Sequence, residues 1–186
     1  MIEFNSSFTL SIIDCEVLSF VKAINFPRNF LCFSQISVNF KHKSLIESSR
    51  KEIADILNVK SSEIIFTSGG TEGDNMIIRN CVNNLGVSHI ITTKIEHHAV
   101  THTIDDLIRS NNINVSYVKV SKSGHVDLND LEEILKRSDE KSLVSLMHIN
   151  NEIGNITDIQ LVSEICQKYN SLFHSDTVQS VGHYDL

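Results

Sequence analysis

From about residue 60 to the end of the chain, short β-branched runs alternate with amphipathic stretches, and that alternation decides the fold class. "EIIFTS", "SHIITTK", "NVSYVKV", "SLVSLMHI" and "SLFHS" read as strands. Between them, "TEGDNMIIRNCVNNLG" has helical spacing and a glycine stop at Gly86, and "HHAVTHTIDDLIRSNN" sets Val100, Ile104, Leu107 and Ile108 on one face. "DLNDLEEILKR" opens on Asp127 as N-cap, and "TDIQLVSEICQKYN" opens on Thr157. Such alternation predicts an α/β fold, with a mostly parallel sheet flanked by helices and no domain boundary inside 60–186. Upstream, "DCEVLSFVKAIN" and "KSLIESSRKEIADIL" predict helices, separated by the irregular "FPRNFLCFSQISVNF".

Composition removes several function classes. The net charge of −7, with no block of lysine or arginine, argues against a nucleic-acid or anionic-membrane surface. No apolar run approaches the roughly 18 residues that span a bilayer. The opening "MIEFNSS" is acidic where a secretory signal is basic, which predicts a cytoplasmic protein. Cys15, Cys32, Cys81 and Cys166 form no CxxC pair, so they read as reduced and mostly buried thiols, not as a zinc or disulfide framework.

Ligands of open α/β sheets bind beyond the carboxyl ends of the strands. Just past four of the five runs lie "TSGGTEGDN", "IEHHAV", "NNEIGN" and "DTVQ"; the fifth, "SYVKVSKSGH", ends in a bland turn. In "SGGT", Gly69 and Gly70 let a backbone approach closely, and first-turn amides with the Thr71 hydroxyl form an anion cradle or an ordinary capped turn. No Walker lysine and no GxGxxG accompany them, so a nucleotide fits poorly. His98 and His102 are spaced as metal ligands are, but they lack the acidic partner of a metal signature, so no metal is expected; helix capping is the alternative. Of Glu96, His97, His98 and His102, one imidazole ring faces a flat cofactor across the crevice, or these polar residues simply cap a helix. Asn150 and Asn151 make a turn or serve a ligand. Asp176, at a strand mouth in an apolar crevice, is a cap or ion-pair partner, or it needs a buried cation. A protonated ring nitrogen on a ligand meets that need. Phosphate, flat ring and protonatable nitrogen together describe pyridoxal 5'-phosphate.

"IIFTSGGTEGDN", "IEHHAV", "VSLMHINNEIG" and "FHSDTVQSVGH" resemble, in order and at similar spacing, the successive motifs of the cysteine desulfurases. These are pyridoxal-phosphate enzymes of the class V aminotransferase group. The family takes sulfur from L-cysteine, giving alanine and an enzyme persulfide, for iron–sulfur cluster assembly and tRNA thiolation. The resemblance covers about residues 45–186. It implies that Gly70 and Thr71 bind the phosphate and that His97 stacks over the ring. It also implies that Asn151 and Gln179 sit near the ring hydroxyl oxygen and that Asp176 pairs with the ring nitrogen. His98, His102 and His148 receive no catalytic role. The implied fold is an incomplete large domain of a fold type I pyridoxal-phosphate transferase, with residues 1–13 an N-terminal arm and 14–186 the N-terminal part of the cofactor domain. Implied partners are L-cysteine, sulfur-acceptor or scaffold proteins and a second copy in a homodimer.

The departures from the family carry equal weight. Gly70 stands where the family usually has alanine, "NSSFTL" replaces its asparagine-alanine-threonine-threonine signature, and "RNFLCFSQISVNFKHKS" replaces a glycine-asparagine-proline loop. The family's Schiff-base lysine, substrate-binding arginine and persulfide cysteine all lie beyond the Asp176 motif, and this sequence contains none of them. The expectation is therefore a truncated chain that is inactive alone. The alternatives are another class V enzyme such as selenocysteine lyase, a non-enzymatic remnant or split-gene half that pairs with a partner, and a nucleotide- or metal-binding module.

Overall fold

The computed structural model describes residues 8–14, 18–22, 40–111 and 113–183, with side chains over 43–110 and 113–183. Seven strands form one mixed sheet: β1 (Phe8–Asp14), β2 (Leu18–Lys22), β3 (Ile64–Thr67), β4 (His89–Thr92), β5 (Asn114–Tyr117), β6 (Ser142–Ser145) and β7 (Leu172–Asp176). Among the described residues five α-helices accompany them: α1 (Phe40–Ile56), α2 (Gly70–Leu85), α3 (His98–Asn111), α4 (Leu128–Arg137) and α5 (Ile159–Lys168). The strand order is β3-β2-β1-β7-β6-β4-β5. Pairs β1–β7, β7–β6, β6–β4 and β4–β5 are parallel, while β2 runs antiparallel to both its neighbours. The expected α/β architecture is present.

Two cores form because neighbouring residues of a strand point to opposite faces. Ile90 and Leu143 join Ile77, Ile78, Val100, Ile104 and Leu107 under α2 and α3. Their neighbours Ile91 and Val144 join Leu131, Leu135, Val162, Ile165 and Phe173 under α4 and α5. The central strands are buried on both faces, so they read as continuous apolar runs, not as alternating ones.

Several boundaries move. The helix expected over "DCEVLSFVKAIN" is instead strand β2 at Leu18–Lys22, because "LSFVK" finds hydrogen-bonding strands on both sides and pairing overrides a weak local preference. "KSLIESSRKEIADIL" is helical as expected through Ile56, inside α1, with its last residue, Leu57, in the turn that follows. The cap of α5 is Asp158, whose carboxylate accepts from the Leu161 amide at 3.0 Å, and not Thr157. Asp127 caps α4 as expected, accepting from the Asn129 and Asp130 amides. Gly86 ends α2 at φ 72°, a left-handed conformation that suits glycine. On α3, Val100, Ile104 and Leu107 are buried, but Ile108 lies at the edge of the stripe and is 42% exposed. The expectations at Cys15 and Cys32 and over "FPRNFLCFSQISVN" lie outside the described residues or side chains.

The topology also says where a ligand goes. After β4 the chain moves outward to β5, then returns to β6 on the other side of β4 and continues to β7. The loops leaving β4 and β6 therefore diverge, and an open crevice results at their carboxyl ends. His97 follows β4 and Asn151 follows β6.

Candidate functional site

Four loops supply one cleft. Gly70, Thr71, His97, Asn151, Asp176 and Gln179, the residues singled out in the sequence, all line it, together with Asp74, Met147, Ile149 and Val178. The cleft is open to solvent and holds about 480 Å³ of empty space.

The β3–α2 turn forms one wall. Gly69 is fully extended at φ 169° and ψ 170°, and a side chain there would meet nothing within 4 Å. Glu72 reaches back to the Ser68 amide at 2.6 Å, and that bond holds its carboxyl below the ordinary value. The first turn of α2 thus presents its free amides and the exposed Thr71 hydroxyl towards the cleft.

His97 sits just ahead of α3, and its ring is fixed from behind. Nδ1 accepts from the Ala99 amide at 3.1 Å, which leaves Nε2 as the protonated nitrogen of a neutral ring. The neighbouring loops are clipped together. Glu96 accepts from the Met147 amide at 2.8 Å and from the Thr93 hydroxyl at 2.6 Å. Of the two asparagines, Asn150 is the buried turn-maker: its Oδ1 accepts from the Glu152 and Ile153 amides at 2.9 and 3.0 Å. Asn151, exposed, is the one that lines the cleft.

Asp176 forms the inner end. It is 6% exposed, and its Oδ1 accepts from the Val178 amide at 3.0 Å. Burial first, then repulsion from Asp74, raises its carboxyl above the ordinary range, against the pull of the Val178 amide and His174. Glu96 is pushed up to about 8, mainly by burial. Asp74 is 1% exposed, and its Oδ1 approaches His174 Nε2 to 3.3 Å without the alignment of a hydrogen bond.

Sequence reasoning missed Asp74 and His174 as part of this site. Both could have been found by period: Asp74 lies one helical turn beyond Gly70, and His174 shares the strand face of Asp176. His98 and His102 stack at 4.9 Å in an adjoining groove, which shares Thr71 and His97 with the cleft and also holds Asn75, Arg79, Asp106 and Arg109; Arg79 and Arg109 both reach Asp106 there. Among the described residues no group of three side chains has the makings of a metal site. Cys81 and Cys166 are buried, as the sequence suggested.

The residues present fit pyridoxal phosphate. Two buried carboxylates at the inner end call for positive charge, and free helix amides at the glycine turn suit an anion. No lysine lines the cleft among the described residues.

An open α/β sheet with a polar cleft at its switch point has the arrangement in which such folds bind ligands. The chain belongs to the aminotransferase class-V family, which its residues 32–186 match, beginning inside the stretch that had shown no resemblance. It is 40% identical to the cysteine desulfurase IscS of Clostridium botulinum over 155 residues, which is 82% of this chain and 38% of that protein. Among solved structures it resembles a NifS-like protein (TM-score 0.69, 37% identity, 79% of this chain and 41% of that one). It also resembles SspA in complex with cysteine (TM-score 0.68, 31% identity, 77% and 42%). The chain thus spans well under half the length of these relatives.

Proposed function

We propose that this chain forms the pyridoxal-phosphate-binding part of a cysteine desulfurase. The observation that carries the reading is the meeting of Gly70, Thr71, His97, Asn151, Asp176 and Gln179, from four separate loops, around one cleft with a buried carboxylate at its inner end. In this reading the Gly70–Thr71 turn holds the phosphate through backbone amides and the Thr71 hydroxyl. His97, braced by the Ala99 amide, covers a face of the ring. Asn151 and Gln179 hold the ring hydroxyl oxygen, and Asp176 keeps the ring nitrogen protonated. When bound, the cofactor supplies a sink for the electron pair left when an amino acid loses its α-proton. Asp176 serves that chemistry by remaining ionised against a cationic nitrogen, while the apolar edges of Met147, Ile149 and Val178 limit water around it.

Identity to cysteine desulfurases and likeness to a protein captured with cysteine favour L-cysteine as the amino acid, with sulfur passed on to acceptor or scaffold proteins by a homodimeric, cytoplasmic enzyme. Calorimetric titration of the chain with pyridoxal phosphate tests the reading, with pyridoxine and inorganic phosphate as comparators. Saturable binding at one site, stronger than to either comparator, is expected. No saturable binding, or equal binding of phosphate alone, overturns it.

A further inference from the structure

Along β7 the side chains alternate. Phe173 packs under α4 and α5, while Leu172, His174 and Asp176 share the face towards α2. His174 is fully buried, with Nδ1 2.9 Å from the Ser145 hydroxyl of its register partner on β6. Its Nε2 lies 3.3 Å from Asp74 Oδ1 on α2, an ion-pair distance without hydrogen-bond alignment, and neither of those atoms has a hydrogen bond among the described residues. An ionised carboxylate only accepts, so Nε2 carries a hydrogen; the Ser145 hydroxyl is able to accept from Nδ1 as readily as to donate.

The charges around this trio decide between those two options. Asp74 and Asp176 are both buried in the same region, and two carboxylates held there without a cation are costly. No lysine or arginine lines the cleft among the described residues. From the loop before α3, His97 spends its Nδ1 lone pair on the Ala99 amide and is therefore neutral. Glu96, also facing the two aspartates, stays protonated around neutral pH and adds no charge. His174 is the group left to supply positive charge.

Building on the cofactor reading above, we infer that His174 carries a proton on both ring nitrogens and that, paired with Asp74 and held by Ser145, it is a positioning residue. The pair leaves Asp176 as the single net negative charge presented to the cofactor's ring nitrogen. Asp74 and Ser145 act only through His174, and none of the three needs to touch the reacting atoms.

Two measurements test this. The first needs no cofactor: long-range nitrogen–proton spectra of the labelled wild-type chain at pH 7, with the His174 ring assigned through its own backbone. Both ring nitrogens at protonated positions are expected; one nitrogen with a free lone pair overturns the inference. The second is the pH dependence of pyridoxal phosphate affinity in wild type, His174→Gln and the double variant Asp74→Asn/His174→Gln. The single variant should bind about 10-fold more weakly near neutrality, its acid limb moved up by about one pH unit. The double variant, having lost both charges together, should return the limb towards the wild-type position. A uniform loss at every pH, not repaired in the double variant, means packing alone and overturns the inference. Should wild type bind no pyridoxal phosphate, the cofactor reading fails, while the spectra still decide the state of His174.

Discussion

Asn150 Nδ2 donates to the Ile95 carbonyl at 2.8 Å, tying the loop that carries Asn151 to the loop that carries His97. The same side chain accepts the Glu152 and Ile153 amides. Replacing the buried Asn150 with alanine removes all three of these part-buried bonds at once, so we expect a loss of about 2 kcal/mol in urea denaturation. Asn150→Asp keeps the acceptor and loses only the donor, and its loss should be smaller. Equal stability of Asn150→Ala and wild type would contradict the cross-tie.

The turn after β5 supports the Asn151 loop from outside. Gly124 has φ +82°, and a side chain there would stand 2.4 Å from Ile153 Cδ1 and 2.6 Å from Asn155 Nδ2. Asn155 Nδ2 in turn donates to the Ser123 carbonyl at 2.6 Å. Gly124→Ala should therefore cost about 1–3 kcal/mol and weaken pyridoxal phosphate binding through the displaced loop. Differential calorimetry and ligand titration of the variant check both effects.

Glu96 makes stability depend on pH. Its carboxyl is pushed up to about 8 from an ordinary value of 4.5, chiefly by burial. Below the ordinary value both folded and unfolded states hold the proton. Above it the unfolded chain ionises first, so this group's contribution falls as pH rises towards about 8. Glu96→Gln removes that dependence; its side-chain oxygen takes over the bond from the Met147 amide, and its amide nitrogen faces the Thr93 hydroxyl, which turns from donor to acceptor. We expect the variant to be more stable than wild type at pH 8, by on the order of a few kcal/mol, with the gap closing towards pH 5. Parallel denaturation curves across that range would contradict the assignment.

Both described cysteines are inert in the folded chain. Burial pushes the thiols of Cys81 and Cys166 up to about 12. At pH 8 only about one in ten thousand is a thiolate. Thiol labelling followed by peptide mass analysis should find both unmodified until denaturant is added; modification at rates typical of free thiols would show that they are reached from solvent.

How far the sequence anticipated the structure depended on how local each signal was. The strands of the carboxyl half, the Gly86 stop and the Asp127 cap follow from short-range period and turn chemistry, and they appear where expected. The site residues were legible because open α/β sheets gather their strand ends, so "SGGT", "EHHAV", "NNEIG" and "SDTVQ" had to converge. Strand β2 was not, because its conformation is set by two flanking strands and not by its own residues. Period places Asp74 and His174 each near the site, but their pairing was hidden, because it depends on α2 lying over β7, a contact of long sequence range. The turn of "SKSGH" read as bland because its partner, the "NNEIGN" loop, lies some 30 residues on.

The central claim is that Asp176 faces a cofactor ring nitrogen and keeps it protonated. Pyridoxal phosphate carrying nitrogen-15 in its ring, bound to wild type and to Asp176→Ala at neutral pH, tests it by nuclear magnetic resonance. The account predicts a protonated nitrogen in wild type and an unprotonated one in the variant. The same nitrogen shift in both would contradict it.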